Sequence, residues 1–187
     1  PWKRCIRNLE SGEVDGIFAA IWLKERDDWG AFPKADDQPD TSRRLWSGRY
    51  SVYSHRDSKL EWDGQQFTNL VHGLSAPLGY VAEKKLRRLG AHAHSAYPPE
   101  EGLNTVARGR LDGYVMDEAI VATQFRSAAA MDQIRKLEPP FIVAHWYLPL
   151  SYQWSSLHPT LAERFWTALG QVRQEQGERI YRSYTAP

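Results

Sequence analysis

Leu103-Asn104-Thr105-Val106-Ala107-Arg108-Gly109-Arg110-Leu111-Asp112-Gly113-Tyr114-Val115-Met116-Asp117 decides how the rest of the chain is read. It predicts a helix, a glycine stop at Gly109, and a buried strand that ends on the carboxylate of Asp117. Ile6-Arg7-Asn8-Leu9-Glu10-Ser11-Gly12-Glu13-Val14-Asp15-Gly16-Ile17-Phe18 follows the same plan. Gly12, Val14, Asp15, Gly16 and Ile17 fall against Gly109, Leu111, Asp112, Gly113 and Tyr114 at one constant offset, as do Ile6 and Leu9 against Leu103 and Val106. A unit used twice and far apart points to two similar lobes rather than a solenoid. The cleft between two lobes is a usual place for a ligand. The alternative is two ordinary helix-to-strand joints within one α/β domain.

A chain of 187 residues can bury a substantial core, in one domain or two small ones. With 42% hydrophobic and 25% charged residues it is globular rather than disordered. The net charge of +1 argues against a nucleic-acid partner, which needs a concentrated basic surface. Eight Trp and nine Tyr are a heavy aromatic load, of the kind spent on flat binding walls as well as cores. The single Cys5 excludes an internal disulfide and a cysteine metal site. No run reaches the length of a membrane-spanning helix. Pro1-Trp2-Lys3-Arg4 opens directly into amphipathic sequence without a signal peptide, which fits either a cytoplasmic chain or a trimmed mature one.

Trp2, Cys5, Ile6 and Leu9 recur at helical spacing and predict an amphipathic first helix, with Cys5 as a small buried hydrophobe. Ser11-Gly12 ends it with a left-handed cap. The apolar run 14–20 predicts a buried parallel strand. Residues 21–30 form the loop at its C-terminal end, where open α/β sheets carry their sites. Residues 34–42 read as a polar surface loop. A strand over 48–54 enters a new region, and 61–69 is turn-rich around Asp63-Gly64. A short strand over 74–77 precedes a helix that Gly79-Tyr80 opens and Gly90 closes, and 92–96 is the next strand. Beyond the quoted helix and strand, 117–125 is helical, 127–130 is a weak join, and 134–144 is broken by Pro139-Pro140. Residues 146–152 read as an apolar strand whose Pro149 suits an edge or an end. Thr160 caps a helix with Leu161, Phe165, Leu169 and Val172 on one face and Glu163 completing a capping box. Residues 178–184 form a short terminal helix. Strands alternating with helices throughout give an α/β fold.

Most catalytic patterns are absent. Gly73-Leu74-Ser75-Ala76-Pro77 lacks the second glycine of a nucleophile elbow. His92-Ala93-His94 places two imidazoles on one strand face without a third ligand, which fits a solvated edge better than a metal site. Asp15 and Asp112, in Asp-Gly pairs, read as turn residues. Three features carry binding chemistry. Arg26, on the loop after the first strand, can grip a carboxylate bidentately, or pair with Asp27 or Asp28 in solvent. Asp117 can accept from a ligand ammonium, or cap the following helix. Leu78-Gly79-Tyr80 opens a helix whose amides can hold an anion. A cation in one lobe and an anion in the other describe a binder of zwitterions.

The chain resembles the family 3 solute-binding proteins, the periplasmic amino-acid-binding components of ABC transporters. The resemblance runs from Pro1-Trp2-Lys3-Arg4-Cys5 through Leu9-Glu10-Ser11-Gly12-Glu13-Val14-Asp15-Gly16 and Lys24-Glu25-Arg26. It continues over Gly79-Tyr80, Leu111-Asp112-Gly113-Tyr114-Val115-Met116-Asp117 and Lys136-Leu137-Glu138-Pro139-Pro140. It implies a two-lobed type II periplasmic-binding fold, with hinges near Tyr50 and Ala144. Lobe one would be 1–49 with 145–187, and lobe two 50–144. It implies that Arg26 grips an α-carboxylate, Asp117 takes an α-ammonium, Trp2 packs on the ligand, and Gly79-Tyr80 adds amide contacts. Leu78 and Trp22, beside these residues, complete the candidate ligand-binding set. Ile21 and Leu23 stand where the family carries threonine or proline, which removes a hydroxyl donor to the carboxylate.

These readings together expect a protein outside the cytoplasm that captures a small polar or zwitterionic solute, an amino acid or related carboxylate. It would work with an ABC permease and without a cofactor or metal. The rivals are an enzyme on the same fold that dehydrates a cyclic acid, with Glu118 or His145 as general acid, and the sensing domain of a membrane receptor. The first helix has no strand before it, although such helices join parallel strands. Lobe one is therefore expected to be N-terminally incomplete, lacking a strand–helix–strand. Either about fifty further residues, by the size of such a unit, or a second chain would cover the gap, and the 187 residues would not form a complete closed monomer.

Overall fold

The computed structural model describes residues 2–125 and 129–185. In chain order they form α1 (Trp2–Glu10), β1 (Ala20–Ile21), β2 (Lys34–Ala35), β3 (Gln38–Pro39) and β4 (Trp46–His55). Next come β5 (Glu61–Trp62), β6 (Phe67–Thr68), β7 (Leu74–Ser75), α2 (Val81–Arg88), α3 (Pro99–Ala107) and β8 (Gly113–Asp117). The last are α4 (Glu118–Ile120), β9 (Ile134–Lys136), β10 (Ile142–Tyr147), α5 (Tyr152–Leu157) and α6 (Pro159–Thr185). The chain divides into two compact units, Pro1–Ser47 with Ala144–Pro187, and Gly48–Val143. It passes from the first to the second within β4 and returns within β10. Among the described residues no helix is long and apolar enough to cross a membrane.

In the second unit β8 runs antiparallel to β4, with Val115 opposite Val52, and parallel to β7, with Leu74 beside Gly113. Every residue of β8 is buried. A strand covered on both faces needs an unbroken apolar run rather than alternation, which is what Tyr114-Val115-Met116 supplies. Helix α3 contributes Leu103 and Val106 to one cluster with Tyr114 and Met116. Gly102 permits that approach, because a Cβ there would stand 2.3 Å from the Tyr114 ring. Gly109 takes the left-handed φ of +66° expected of a helix stop.

Asp112 is the clamp of this unit. Its Oδ2 accepts the backbone amides of Val71, His72 and Gly73 at 2.6, 2.7 and 2.8 Å. Its own amide donates to the Gly73 carbonyl at 3.0 Å. The bend before β7 is thereby fastened to the start of β8. The turn role expected for Asp112 is real, and it reaches forty residues back along the chain.

In the first unit α1 and the Gly12 cap, at φ +73°, form as expected, whereas the buried parallel strand over 14–20 does not. Gly16 makes an isolated antiparallel bridge to Leu150, and β1 pairs antiparallel with β10 through only two residues. Ala19 adopts a left-handed φ of +64°, which breaks the extended run, and Phe18 stays 74% exposed. Cys5 is exposed, not part of the core. The loop at 34–42 instead contains the hairpin β2–β3, turned by Asp36 and Asp37, both at positive φ. β10 stops at Tyr147, and the chain goes on past Pro149 by isolated bridges of Leu150 to Gly16 and Ala31.

Helix α6 is one continuous element that includes 178–184, and Thr160 lies inside it. Its buried face is Ala162, Trp166, Gly170 and Gly177, while Leu161, Phe165 and Val172 are exposed. Backbone approach decides this face: Cβ atoms at Gly170 and Gly177 would stand 2.6 Å from the Ser42 carbonyl oxygen and 2.7 Å from the Trp46 ring. After Asp117, the expected helix is a short α4 followed by a wider π-helical turn, Val121–Phe125. The join at 127–130 lies partly outside the described residues; Ala129–Gln133 is a 3-10 turn.

Replacing Asp112 by Ala strips three amides of a charged acceptor. The expected cost is about 3 kcal/mol, a Tm lower by roughly 6–12 °C for a chain of this size. Asp112→Asn keeps a side-chain oxygen for the amides and should fall between the two in a calorimetric melt.

Candidate functional site

The candidate residues fall on both units, and each group has its own local cause. In the first unit the chain leaves β1 into a 3-10 turn, Lys24–Arg26, that puts Arg26 at its end. Arg26 is only 2% exposed. Its Nη1 donates to the Ile21 carbonyl at 2.8 Å, and its guanidinium carbon lies 4.5 Å from the centroid of the Trp29 ring. Desolvated stacking of this kind makes a strong cation–π contact. Asp27 does not serve Arg26: its two oxygens accept from the Trp22 indole at 2.8 Å and the Lys34 ammonium at 2.7 Å. The solvent-facing alternative for Arg26 is thus replaced by a buried, aromatic-backed guanidinium.

Trp2 reaches the same group from α1, meeting Trp29 edge-on at 6.3 Å between centroids. Trp2 and Trp22 also pack against the cluster of Ala20, Phe32 and Tyr147. The structure therefore draws Arg26 and Trp2 together through Trp29, a residue the sequence reading passed over. Its signal was there: three positions after Arg26 on a tight turn, it is placed to lie under the guanidinium.

In the second unit β8 ends on Asp117, which is 2% exposed. Its Oδ1 accepts the amides of Ala119 and Ile120 at 3.0 and 3.2 Å, so the helix-cap reading holds. Among the described residues Oδ2 makes no hydrogen bond, leaving one lone-pair-rich oxygen for another partner. Burial raises the carboxyl above the usual carboxylate range; the two amides oppose this and Glu118 adds to it. Burial also raises the Tyr80 hydroxyl, with the charge of Asp117 the second cause, so these two candidates are electrostatic neighbours.

Tyr80 is the N-cap of α2 and caps nothing with its side chain. The preceding Gly79 has φ +82°, a conformation that favours glycine, and Leu78 is exposed. The amides here are already engaged. Gly79 donates to Glu83 Oε2 at 2.6 Å and Tyr80 to the Pro77 carbonyl at 3.2 Å. A carboxylate from the first turn of the helix thus holds the place an external anion would take. Glu83 was missed although a glutamate three residues past the N-cap is a capping signal.

Glu118 is held in a charged network. Ser51 Oγ donates to it at 2.6 Å, and Lys136 and Arg49 approach at 3.4 and 3.5 Å. Burial pushes its carboxyl up, but the hydroxyl and the two cations outweigh that and bring it below the usual range. In the first unit His145 Nδ1 lies 2.9 Å from Ser47 Oγ, and burial, Arg44 and Arg173 lower the imidazole. The two histidines of 92–94 separate: His92 bridges to Leu74 with its side chain buried, and His94 is exposed. Among the described residues no group of three or more His, Cys, Asp or Glu could hold a metal ion.

No family model and no curated protein matches the chain in sequence. Solved structures match it in fold. A protein from Wolinella succinogenes assigned as the binding component of an ABC transporter, complexed with lysine, superposes with a TM-score of 0.74 at 14% identity, covering 100% of this chain and 76% of that one. The ligand-binding domain of AvGluR1 with glutamate gives 0.76 at 12% identity, over 100% and 74%. The ancestral amino acid-binding protein AncCDT-1, a precursor of cyclohexadienyl dehydratase, gives 0.71 at 14% identity, over 98% and 74%. Identities this low speak for architecture alone: the chain has the type II periplasmic-binding fold of these proteins.

Proposed function

We propose that the chain is a solute-binding protein of the family 3 kind, capturing an amino acid or related small carboxylate outside the cytoplasm for an ABC permease. The observation that carries this reading is the burial of two opposite charges, Arg26 and Asp117, each at 2% exposure. Ionisable groups buried and held in place by specific contacts are candidates for a functional site. Arg26 supplies a fork for a carboxylate, stiffened by Trp29 beneath it. Asp117 keeps Oδ2 for an ammonium while Oδ1 caps the helix. Trp2 and Trp22 in the first unit, and Leu78 and Tyr80 in the second, are the further candidate contacts. Gly79 takes part through the left-handed turn it sets, its amide being held by Glu83.

The dehydratase alternative asks for a protonated acid near neutral pH. Glu118 is lowered by its hydroxyl and cation partners, and His145 is lowered by burial and two arginines. One therefore stays ionised and the other neutral, and neither is suited to donate a proton. This favours binding without turnover.

A thermal-shift screen of lysine, glutamine, glutamate and cyclic carboxylic acids tests the reading. A ligand at a hundred times its Kd stabilises the folded state by about 2.7 kcal/mol, and no shift with any of them would count against it. For a ligand found this way, Arg26→Lys keeps the charge and loses the fork, so calorimetric affinity should fall at least about tenfold, or 1.4 kcal/mol. An unchanged Kd removes Arg26 from the site.

Asp117→Asn should separate binding from stability. Asn caps as well as Asp, yet removes the charge that an ammonium needs. Because the folded-state pKa of Asp117 is raised, its stabilising contribution is full below the unfolded carboxyl value of 3.8 and is lost as pH rises through the folded value. At pH 7 the variant should therefore bind more weakly and melt higher than the parent, with the melting difference vanishing in acid. Equal binding by both proteins would leave Asp117 as a cap alone.

A further inference from the structure

Behind the start of α2 lies a buried pair that the proposed binding role does not use. His92 has a side chain 5% exposed, and its Nε2 makes no hydrogen bond. That nitrogen faces Glu83 Oε1 at 3.9 Å. The same carboxylate, 8% exposed, accepts the Gly79 amide at 2.6 Å on Oε2 and the Arg87 guanidinium at 2.9 and 3.2 Å on Oε1. A buried imidazole nitrogen without a partner, next to a carboxylate that is slightly too far to bond, is an arrangement with a second state available to it.

We propose that Glu83 and His92 are positioning residues for the Leu78-Gly79-Tyr80 segment, and that protonation of His92 draws Glu83 off the Gly79 amide and loosens this segment. This rests on the reading of 78–80 as part of a solute site. Neutral His92 leaves Glu83 on Gly79, which fixes the left-handed turn and hence the approach of Tyr80 to Asp117. A proton on Nε2 turns the 3.9 Å separation into a charge-assisted bond, whose preferred length is about 2.8 Å. The carboxylate must move toward the ring to make that bond, and its far oxygen then leaves the amide.

The charges around the ring set where this happens. Helix α2 presents Arg87, which opposes the proton, and Glu83, which favours it; the ring's own segment adds His94. β7, bridged to His92 at Leu74, adds only Leu74 and Ser75, which do not titrate. Burial is the largest influence and lowers the imidazole from 6.5, so the change falls below that pH. A base whose folded pKa is depressed contributes stability above its unfolded value and loses it as pH falls through the folded one. Acid therefore both destabilises this corner and opens it.

The test follows the Gly79 amide and the His92 ring by NMR from pH 8 to 4.5 in the full chain without ligand. The expected result is one shared midpoint below 6.5 for both signals, loss of the Gly79 inflection in His92→Phe, and loss of the coupling in Glu83→Gln. A Gly79 amide that stays flat through the His92 titration, or titrates unchanged in His92→Phe, overturns the proposal. His92→Gln, which keeps a polar side chain in the pocket, should behave like the Phe variant and guards against a folding artefact. This arm needs no solute, so it stands or falls apart from the binding reading. For a solute found by the thermal screen, affinity should drop severalfold from pH 7 to 5 in the parent and much less in His92→Phe. Parallel pH profiles in the two proteins would also overturn it, whereas failure of every solute to bind at either pH strikes the binding reading alone.

Discussion

One oxygen of Asp112 receives three consecutive backbone amides, and the joining of β7 to β8 depends on it. The clamp fastens the bend at 71–73 to the start of β8 and so fixes β7 and β8 in register, Leu74 beside Gly113. Parallel strands end at the same edge of a sheet, where open α/β folds carry their ligands. β8 climbs roughly 16 Å over five residues and delivers Asp117. β7 runs out the same way through Ala76-Pro77-Leu78 and delivers Gly79 and Tyr80. That Tyr80 feels the charge of Asp117 is the outcome of a clamp at the opposite end of both strands.

Asp112, Asp117 and Glu83 of this unit all accept backbone amides, and the oxygen each has left over differs. Asp112 gathers three on one oxygen at the root of the strand pair, and its role is architectural. Asp117 takes two on Oδ1, as the cap of the following helix, and Oδ2 makes no hydrogen bond among the described residues. Glu83 divides its oxygens between the Gly79 amide and Arg87, with an unprotonated imidazole waiting beyond. The helix start at 79–80 therefore differs from an open anion hole. It carries a resident anion, the Glu83 carboxylate.

Much of the second unit was legible because its signals are local. Gly90 and Gly109 stop helices with φ of +66° each, and the unbroken apolar run 114–116 lies in the fully buried β8. The first unit defeated the same reading where the outcome depends on distant backbone. The run 14–20 is apolar enough for a strand, but apolar content does not say whether partner strands lie on both sides. Here it meets the 149–150 segment and the end of β10, and Ala19 turns it aside. The face of α6 was misread for a related reason. Leu161, Phe165 and Val172 outrank Gly170 and Gly177 on any hydrophobic scale, yet the glycines are where Ser42 and Trp46 come closest. A helix buries the face that its neighbours can approach, and small residues allow the closer approach.

Arg26 shows how the chemistry of a site can be read before its geometry. Its position after the first strand and its fork-shaped head singled it out, but sequence alone left it balanced between a ligand and a surface ion pair. The balance is broken by residues around it. Trp22 and Lys34 occupy both oxygens of Asp27, so that acid is committed elsewhere. Trp29 then covers one face of the guanidinium and the Ile21 carbonyl takes one donor. A planar cation held this way loses little further freedom when it meets a carboxylate, and preorganisation of that sort improves affinity by lowering the cost of ordering. Ile21 and Leu23 act in the same direction. Their side chains add no polar group beside the guanidinium, which is set by the Ile21 carbonyl and the Trp29 ring.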